Sequence, residues 1–252
     1  MIAAALLRAD ATRGALEPLS QTYPELSIRD AYEIQRTGLA LRTARGARVV
    51  GHKVGLTSPA MQEMLGVDQP DFGYLTDTMV SRSGDTLDTG RFIAPRVEAE
   101  ILFLLKRTLE GRGLGIDEVL DATEAFAPAL EVIDSRIVDW RIGIVDTIAD
   151  NASSAHVVLG DWVPADGVDV AAEQMTLVVG TEHVEGLGSA VLGHPALAIA
   201  WLAATLADYG GGPLRAGDIV LPGAMARALP VARGSSVQAT FGHLGVVTAS
   251  FA

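Results

Sequence analysis

Two hydrophobic periods share this chain, and one gives way to the other near residue 46. Before that point apolar residues recur at helical spacing, first over 3–16 and again from Ile28 onward. Ser27 sits where an N-cap belongs, and Asp30 completes an S-x-x-D box with it. After residue 46 short apolar runs bounded by Gly, Pro and Asp predict strands over 48–56, 74–75, 101–105, 128–133, 157–159, 175–179, 219–221, 237–240 and 246–251. Helices are expected at 58–65, with Pro59 in its first turn, at 116–126, and at 195–209, which runs into Gly210-Gly211-Gly212. Residues 81–90 read as exposed, 109–115 as a loop, and 147–156 as a polar loop entering a strand. With no repeat and no linker, the pattern describes an α+β, β-rich chain: a helical N-terminal part, 1–46, and a β-rich domain, 47–252.

Composition narrows the function. The 252 residues are 49% hydrophobic, enough for a well-filled core, and no apolar run reaches the roughly 18 residues of a membrane span. The apolar start meets Arg8 and Asp10 too soon for a signal peptide, so a cytoplasmic location is expected. The absence of cysteine excludes disulfides, thiolate metal sites and a cysteine nucleophile. A net charge of −12 without a basic cluster argues against nucleic acid as a partner. An acidic protein that takes an anionic substrate needs a local positive patch or a bound cation.

Candidate chemistry concentrates in Arg96-Val97-Glu98-Ala99-Glu100, which leads into the apolar run Ile101 to Leu105. On a strand, Glu98 and Glu100 share one face about 7 Å apart. Two acids entering a buried strand need a cation or a proton to neutralise them. A third acid, Glu131, stands within Pro128-Ala129-Leu130-Glu131-Val132-Ile133. Glu98, Glu100 and Glu131 are therefore the expected ligands of a hard divalent cation. The alternative for the first two is an ordinary ion pair with Arg96 or another base. Lys53, in Gly51-His52-Lys53-Val54-Gly55, is either a surface residue of an edge strand or a carboxylate-binding group in a pocket. Asp71 is either a turn-former or an acid–base group. Asp150, Asn151, Ser153 and Ser154 offer small donors and acceptors for an organic acid, or simply form a capped loop. Asp134 and Arg136 are expected to pair near the metal strand. The five histidines have no ligand-like spacing, and there is no G-x-S-x-G, phosphate-cradling loop or dinucleotide fingerprint. The residues alone thus describe a carboxylate-held ion beside a lysine and polar loops, suited to polarising a carbonyl or enolate of a small organic acid.

Five segments, in order, carry a resemblance: Gly51-His52-Lys53-Val54-Gly55-Leu56-Thr57-Ser58, Asp68-Gln69-Pro70-Asp71-Phe72-Gly73, Pro95 to Glu100, Ala129 to Arg136, and Ala149-Asp150-Asn151-Ala152-Ser153-Ser154. Together they resemble the 2-keto-4-pentenoate hydratases, grouped with the 4-oxalocrotonate decarboxylases in the fumarylacetoacetate hydrolase superfamily. The resemblance implies a mixed β-roll with a small helical N-terminal part, and Mg2+ or Mn2+ held by Glu98, Glu100 and Glu131. It implies Lys53 and Asp71 as catalytic residues, with Arg136, Asp150, Asn151, Ser153 and Ser154 binding substrate. The implied substrate is a small 2-oxo or 2-hydroxy dienoic acid, handled by a homo-oligomer in the meta-cleavage breakdown of aromatic or steroid compounds. Asp71 and Trp140 resemble the hydratase pattern, whereas Ala224 in Leu221-Pro222-Gly223-Ala224 resembles the decarboxylase pattern. Decarboxylation of 4-oxalocrotonate is the alternative reaction. An organic-acid-binding partner subunit without catalysis is a further alternative, against which the full set of charged residues argues.

Overall fold

The computed structural model describes residues 1–58, 62, 67 and 69–252. The helix expected at 58–65 therefore lies largely outside the described residues. Three N-terminal helices, α1 (Ile2–Thr12), α2 (Leu19–Thr22) and α3 (Ile28–Thr43), come first. The Ser27 box forms as the sequence requires: Asp30 N–H donates to Ser27 Oγ, and Ser27 N–H donates to Asp30 Oδ2 at 2.9 Å. Helix α1 ends at Thr12, short of the expected residue 16, because Arg13 turns left-handed at φ 55°. Leu16 beyond it bridges Ile137.

The strands form two sheets. The larger contains β1 (Val49–Gly55), β2 (Asp71–Thr76), β3 (Val80–Arg82), β5 (Arg96–Leu105), β6 (Thr123–Ile133), β7 (Ser154–Leu159), β8 (Val163–Pro164), β11 (Ile219–Leu221) and β12 (Leu229–Pro230). The smaller contains β4 (Thr86–Leu87), β9 (Gln174–Val179), β10 (Glu182–Leu187), β13 (Ser236–Phe241) and β14 (Gly245–Phe251). The main path of the larger sheet is β2-β1-β11-β5-β6-β7-β3, and that of the smaller is β10-β9-β13-β14-β4. Parallel pairs β1–β11, β3–β7 and β4–β14 sit among antiparallel ones, which makes this a mixed roll. One core joins both sheets and the helices, with Phe103, Phe126, Leu130, Leu177 and Ile199 fully buried.

Further along the described residues lie two short helices, α4 (Ile116–Asp121) and α5 (Ile144–Ala149), and the longer α6 (Pro195–Tyr209). Helix α4 stops at Asp121, well before the expected Phe126, because β6 starts at Thr123. The strand claims Phe126 to pack it edge-on against Phe103 at 4.7 Å. Helix α5 replaces the first part of the expected loop at 147–156. Its Gly143 and Asp146 form a box in which Gly143 N–H donates to Asp146 Oδ2. Helix α6 matches its expected span, with Pro195 in the first turn and Gly210 at φ 73° as its left-handed stop. The 188–209 segment has a mean hydropathy of 1.6, long and apolar enough to cross a membrane, yet half of it is buried inside the fold.

Candidate metal and acid–base site

The larger sheet builds the site by register. Antiparallel pairing of β5 and β6 sets Glu98 directly opposite Glu131, and Glu100 opposite Ala129. Period-2 alternation places Glu100 on the same face as Glu98. The three carboxylates converge until one oxygen from each lies within 4.8 Å of the others. Glu100 and Glu131 are fully buried, and Glu98 is half-buried. Gly223 N–H donates to Glu100 Oε2 at 2.8 Å, leaving Oε1 buried without a partner. Gly223 stands at φ 123°, and a Cβ there would fall 2.0 Å from Thr57 Oγ1, so only glycine delivers this amide.

Among the described residues, one buried cation faces these acids. Lys53 on β1 is 3% exposed; its Nζ lies 3.3 Å from Glu131 Oε2 and donates to Ala152 O at 2.9 Å. This settles its placement as buried rather than on a surface edge. Asp71, the first residue of β2, is also buried. Thr147 Oγ1 donates to its Oδ2 at 2.8 Å. A Cβ on Gly55 would stand 2.3 Å from Asp71 Oδ1, so this glycine makes room for the carboxyl.

The electrostatics follow from burial with too few cations. Burial pushes the Glu98 carboxyl up to about 7, and the Glu131 charge adds to this. Burial, then Glu131 and Glu98, raise Glu100 well above the carboxylate range. Burial also raises Glu131 and Asp71, in each case opposed by Lys53. Burial alone would push the Lys53 ammonium down, but the surrounding carboxylates, Glu131 foremost, outweigh it and hold it above its ordinary value. A face of three convergent oxygen donors with orphaned atoms is a fit for a hard divalent cation, which takes an all-oxygen shell and neutralises several carboxylates at once. Monovalent Lys53 leaves that demand unmet.

The remaining candidates take different positions. Asp150 and Arg136 pair with each other. Arg136 Nε and backbone N–H both donate to the Asp150 carboxylate, and Arg136 Nη2 donates to Asp150 O at 2.6 Å. Both residues are buried, and burial pushes Asp150 up to about 6 even beside the guanidinium. The expected Asp134–Arg136 pair is replaced by this one. Asp134 instead accepts from the amides of Ile93 and Ala94, both at 2.7 Å, because these open backbone donors lie in front of it. Asn151 uses its side chain on β2, accepting from Tyr74 N–H at 2.8 Å and donating to Tyr74 O at 3.0 Å. Asn151, Ala152 and Ser153 are all left-handed, at φ 57°, 51° and 52°. That conformation costs about 1–2 kcal/mol per non-glycine residue, and it turns the Ala152 carbonyl toward Lys53. The Ser153 hydroxyl is buried without a partner. The Ser154 hydroxyl lies beside Glu131, outside good hydrogen-bond geometry.

Sequence reasoning did not single out Thr147, the Gly223 amide or the Ala152 carbonyl. The G-x-x-D box at Gly143–Asp146 was the available sign that Thr147 rides on a helix; nothing in the sequence marks the two backbone groups.

Comparison with known proteins adds an independent line. Residues 46–252 match the family model described as fumarylacetoacetate (FAA) hydrolase C-terminal. The chain is 45% identical over 240 residues to 2-hydroxyhexa-2,4-dienoate hydratase of Comamonas testosteroni, covering 94% of this chain and 90% of that protein. It is 42% identical over 238 residues to 2-keto-4-pentenoate hydratase of Paraburkholderia xenovorans, covering 94% of this chain and 88% of that one. Among solved structures, 4-oxalocrotonate decarboxylase from Pseudomonas putida G7, complexed with magnesium and adipate, superposes with a TM-score of 0.96 at 33% identity, over 99% of this chain and 95% of that one.

Proposed function

Given that this chain belongs to the fumarylacetoacetate hydrolase family, we propose that it is a divalent-metal-dependent hydratase of 2-hydroxypenta-2,4-dienoate or a close homologue, forming 4-hydroxy-2-oxopentanoate or its homologue. The observation that carries the reading is the convergence of Glu98, Glu100 and Glu131 within 4.8 Å, with a buried lysine and a buried aspartate at the same site. The ion, Mg2+ or Mn2+, would be held by those three carboxylates and would supply Lewis-acid stabilisation of negative charge developing on the keto acid.

The chain's own groups account for the rest. Lys53, held above its ordinary pKa by the carboxylates around it, serves as a cation and hydrogen-bond donor for the substrate carboxylate. Asp71, raised by burial above the ordinary carboxylate range, is the carboxyl group placed to exchange protons with the substrate. In the proposed sequence the 2-hydroxyl proton leaves and C5 gains a proton, which gives the α,β-unsaturated ketone. Water then adds its oxygen at C4 and a proton at C3, with Asp71 as the proton carrier. Asn151 and the Asp150–Arg136 pair contribute by holding the left-handed turn whose Ala152 carbonyl fixes Lys53, with Ser153 and Ser154 on the substrate side. Hydration is preferred over decarboxylation because the relatives named as hydratases are the more similar in sequence, at 42–45% against 33%. The likeness in shape to the decarboxylase keeps that reaction as the second reading.

The test is loss of dienoate absorbance on adding Mg2+ or Mn2+ to chelator-treated protein, with the hydroxy-oxo acid identified as product. Carbon dioxide release from 2-oxohex-3-enedioate, without hydration, would transfer the assignment to the decarboxylases. Inertness toward both substrates with either ion would remove the catalytic reading.

A further inference from the structure

We propose that Thr147 and Gln35 are positioning residues for Asp71, which makes the N-terminal helical part a working component of the site. The inference rests on the reading of Asp71 as the proton carrier. Gln35 lies on α3, is 3% exposed, and spends its carboxamide nitrogen on two main-chain carbonyls: Phe72 O at 2.7 Å and Ile148 O at 2.9 Å. Phe72 follows Asp71 in β2, and Ile148 follows Thr147 in α5. One NH2 group therefore ties together the main chain beside the two side chains that bond each other. Tyr32, one turn earlier on α3, stacks on the Phe72 ring at 4.5 Å and 17°, which fixes the helix against the strand at the same point.

The chemical consequence lies at the carboxyl group. The Thr147 hydroxyl holds one oxygen of Asp71, and that bond sets the torsion of the carboxyl group. A proton carrier free to rotate spends less time in a productive geometry. The Thr147 bond depends on the spacing between β2 and α5, and Gln35 spans that spacing from outside the sheet. The carboxamide is buried, so its loss leaves two buried main-chain carbonyls without their donor.

The test uses the full, Mg2+-loaded chain and dienoate turnover. Thr147→Val keeps the shape and removes the donor. It should lower kcat about tenfold with little change in KM, as expected for one lost hydrogen bond acting on the reacting group. It should also move the acidic limb of the kcat–pH profile upward, since the hydroxyl favours the charged carboxylate. Thr147→Ser should recover most of the loss. Gln35→Leu should lower kcat about three- to tenfold in the same direction, and Mg2+ affinity measured by calorimetry should stay at the wild-type value in every variant. In an Asp71→Asn background neither substitution should reduce turnover further, because both act through that carboxyl. Wild-type kcat and pH profile in Thr147→Val, with Asp71→Asn impaired, would overturn this inference alone. An equal further loss in the Asp71→Asn background would do the same. Wild-type turnover in Asp71→Asn itself would instead remove the reading of Asp71 on which the inference stands.

Discussion

Two buried ionic clusters lie within this molecule, and they differ in how their charges are matched. Arg136 and Asp150 balance one against one: the guanidinium also reaches two carbonyls, and the carboxylate takes both a side-chain and a backbone donor. Around Lys53, one buried cation among the described residues faces Glu98, Glu100, Glu131 and Asp71, and one oxygen of Glu100 has no hydrogen-bond partner. The first cluster is complete as folded, and anything added to it would have to displace an existing bond. The second carries excess negative charge and open donor atoms, which is the condition for taking up a cation. Burial alone does not separate a structural pair from a binding site; the balance of charges and the orphaned atoms do.

The sharpest way to break this comparison is to remove a charge from each cluster. Arg136→Met leaves the buried Asp150 carboxylate unpaired, so it should cost about 3–5 kcal/mol of folding stability, read from urea unfolding. A midpoint equal to wild type would mean that the first cluster is not the closed one. Glu100→Gln should do the reverse. It removes a carboxylate that already resists ionisation, so the metal-free melting temperature should hold or rise. Metal-dependent turnover should fall at least about a hundredfold, the scale on which a metal's charge stabilisation is lost. Full turnover in this variant would sink the ligand assignment.

A titration sharpens the same contrast with a smaller effect. The folded Glu98 carboxyl is raised to about 7 from an ordinary 4.5. Its contribution to metal-free stability is therefore fully present below the unfolded value and is lost as pH rises through about 7. An incoming ion must displace that proton. Affinity for Mg2+ should thus fall about tenfold per pH unit below 7 for each proton released, with the count read by calorimetry in buffers of different ionisation enthalpy. No proton release at pH 6 would contradict the raised carboxyl.

The acid face was legible in the sequence because strands alternate with period 2: Glu98 and Glu100 must share a side, and an apolar run around Glu131 must bring it inside. The box at Ser27 and the glycine stop of α6 were equally legible, since each is a local interaction between near neighbours. What failed to show depends on distant partners. Proximity in sequence suggested Asp134 for Arg136, whereas the chain returns Asp150 to it from 14 residues away. Strand β10 went unrecognised because its edge position leaves Glu182, His183 and Glu185 facing solvent, so few apolar residues mark it. Phe126 fitted a helical pattern until packing against Phe103 drew it into a strand. The turn at Asn151–Ser153 has no signature in composition, since of its three residues only asparagine favours the left-handed region.

That turn has a consequence for how the lysine is inherited. Nζ of Lys53 is gripped by the main-chain oxygen of Ala152, so exchanging the methyl group at 152 for another small group leaves the grip intact. Sensitivity is transferred to the neighbour: Asn151, whose amide stitches the turn to the Tyr74 peptide, is the residue whose loss would let the carbonyl swing away and the ammonium drift.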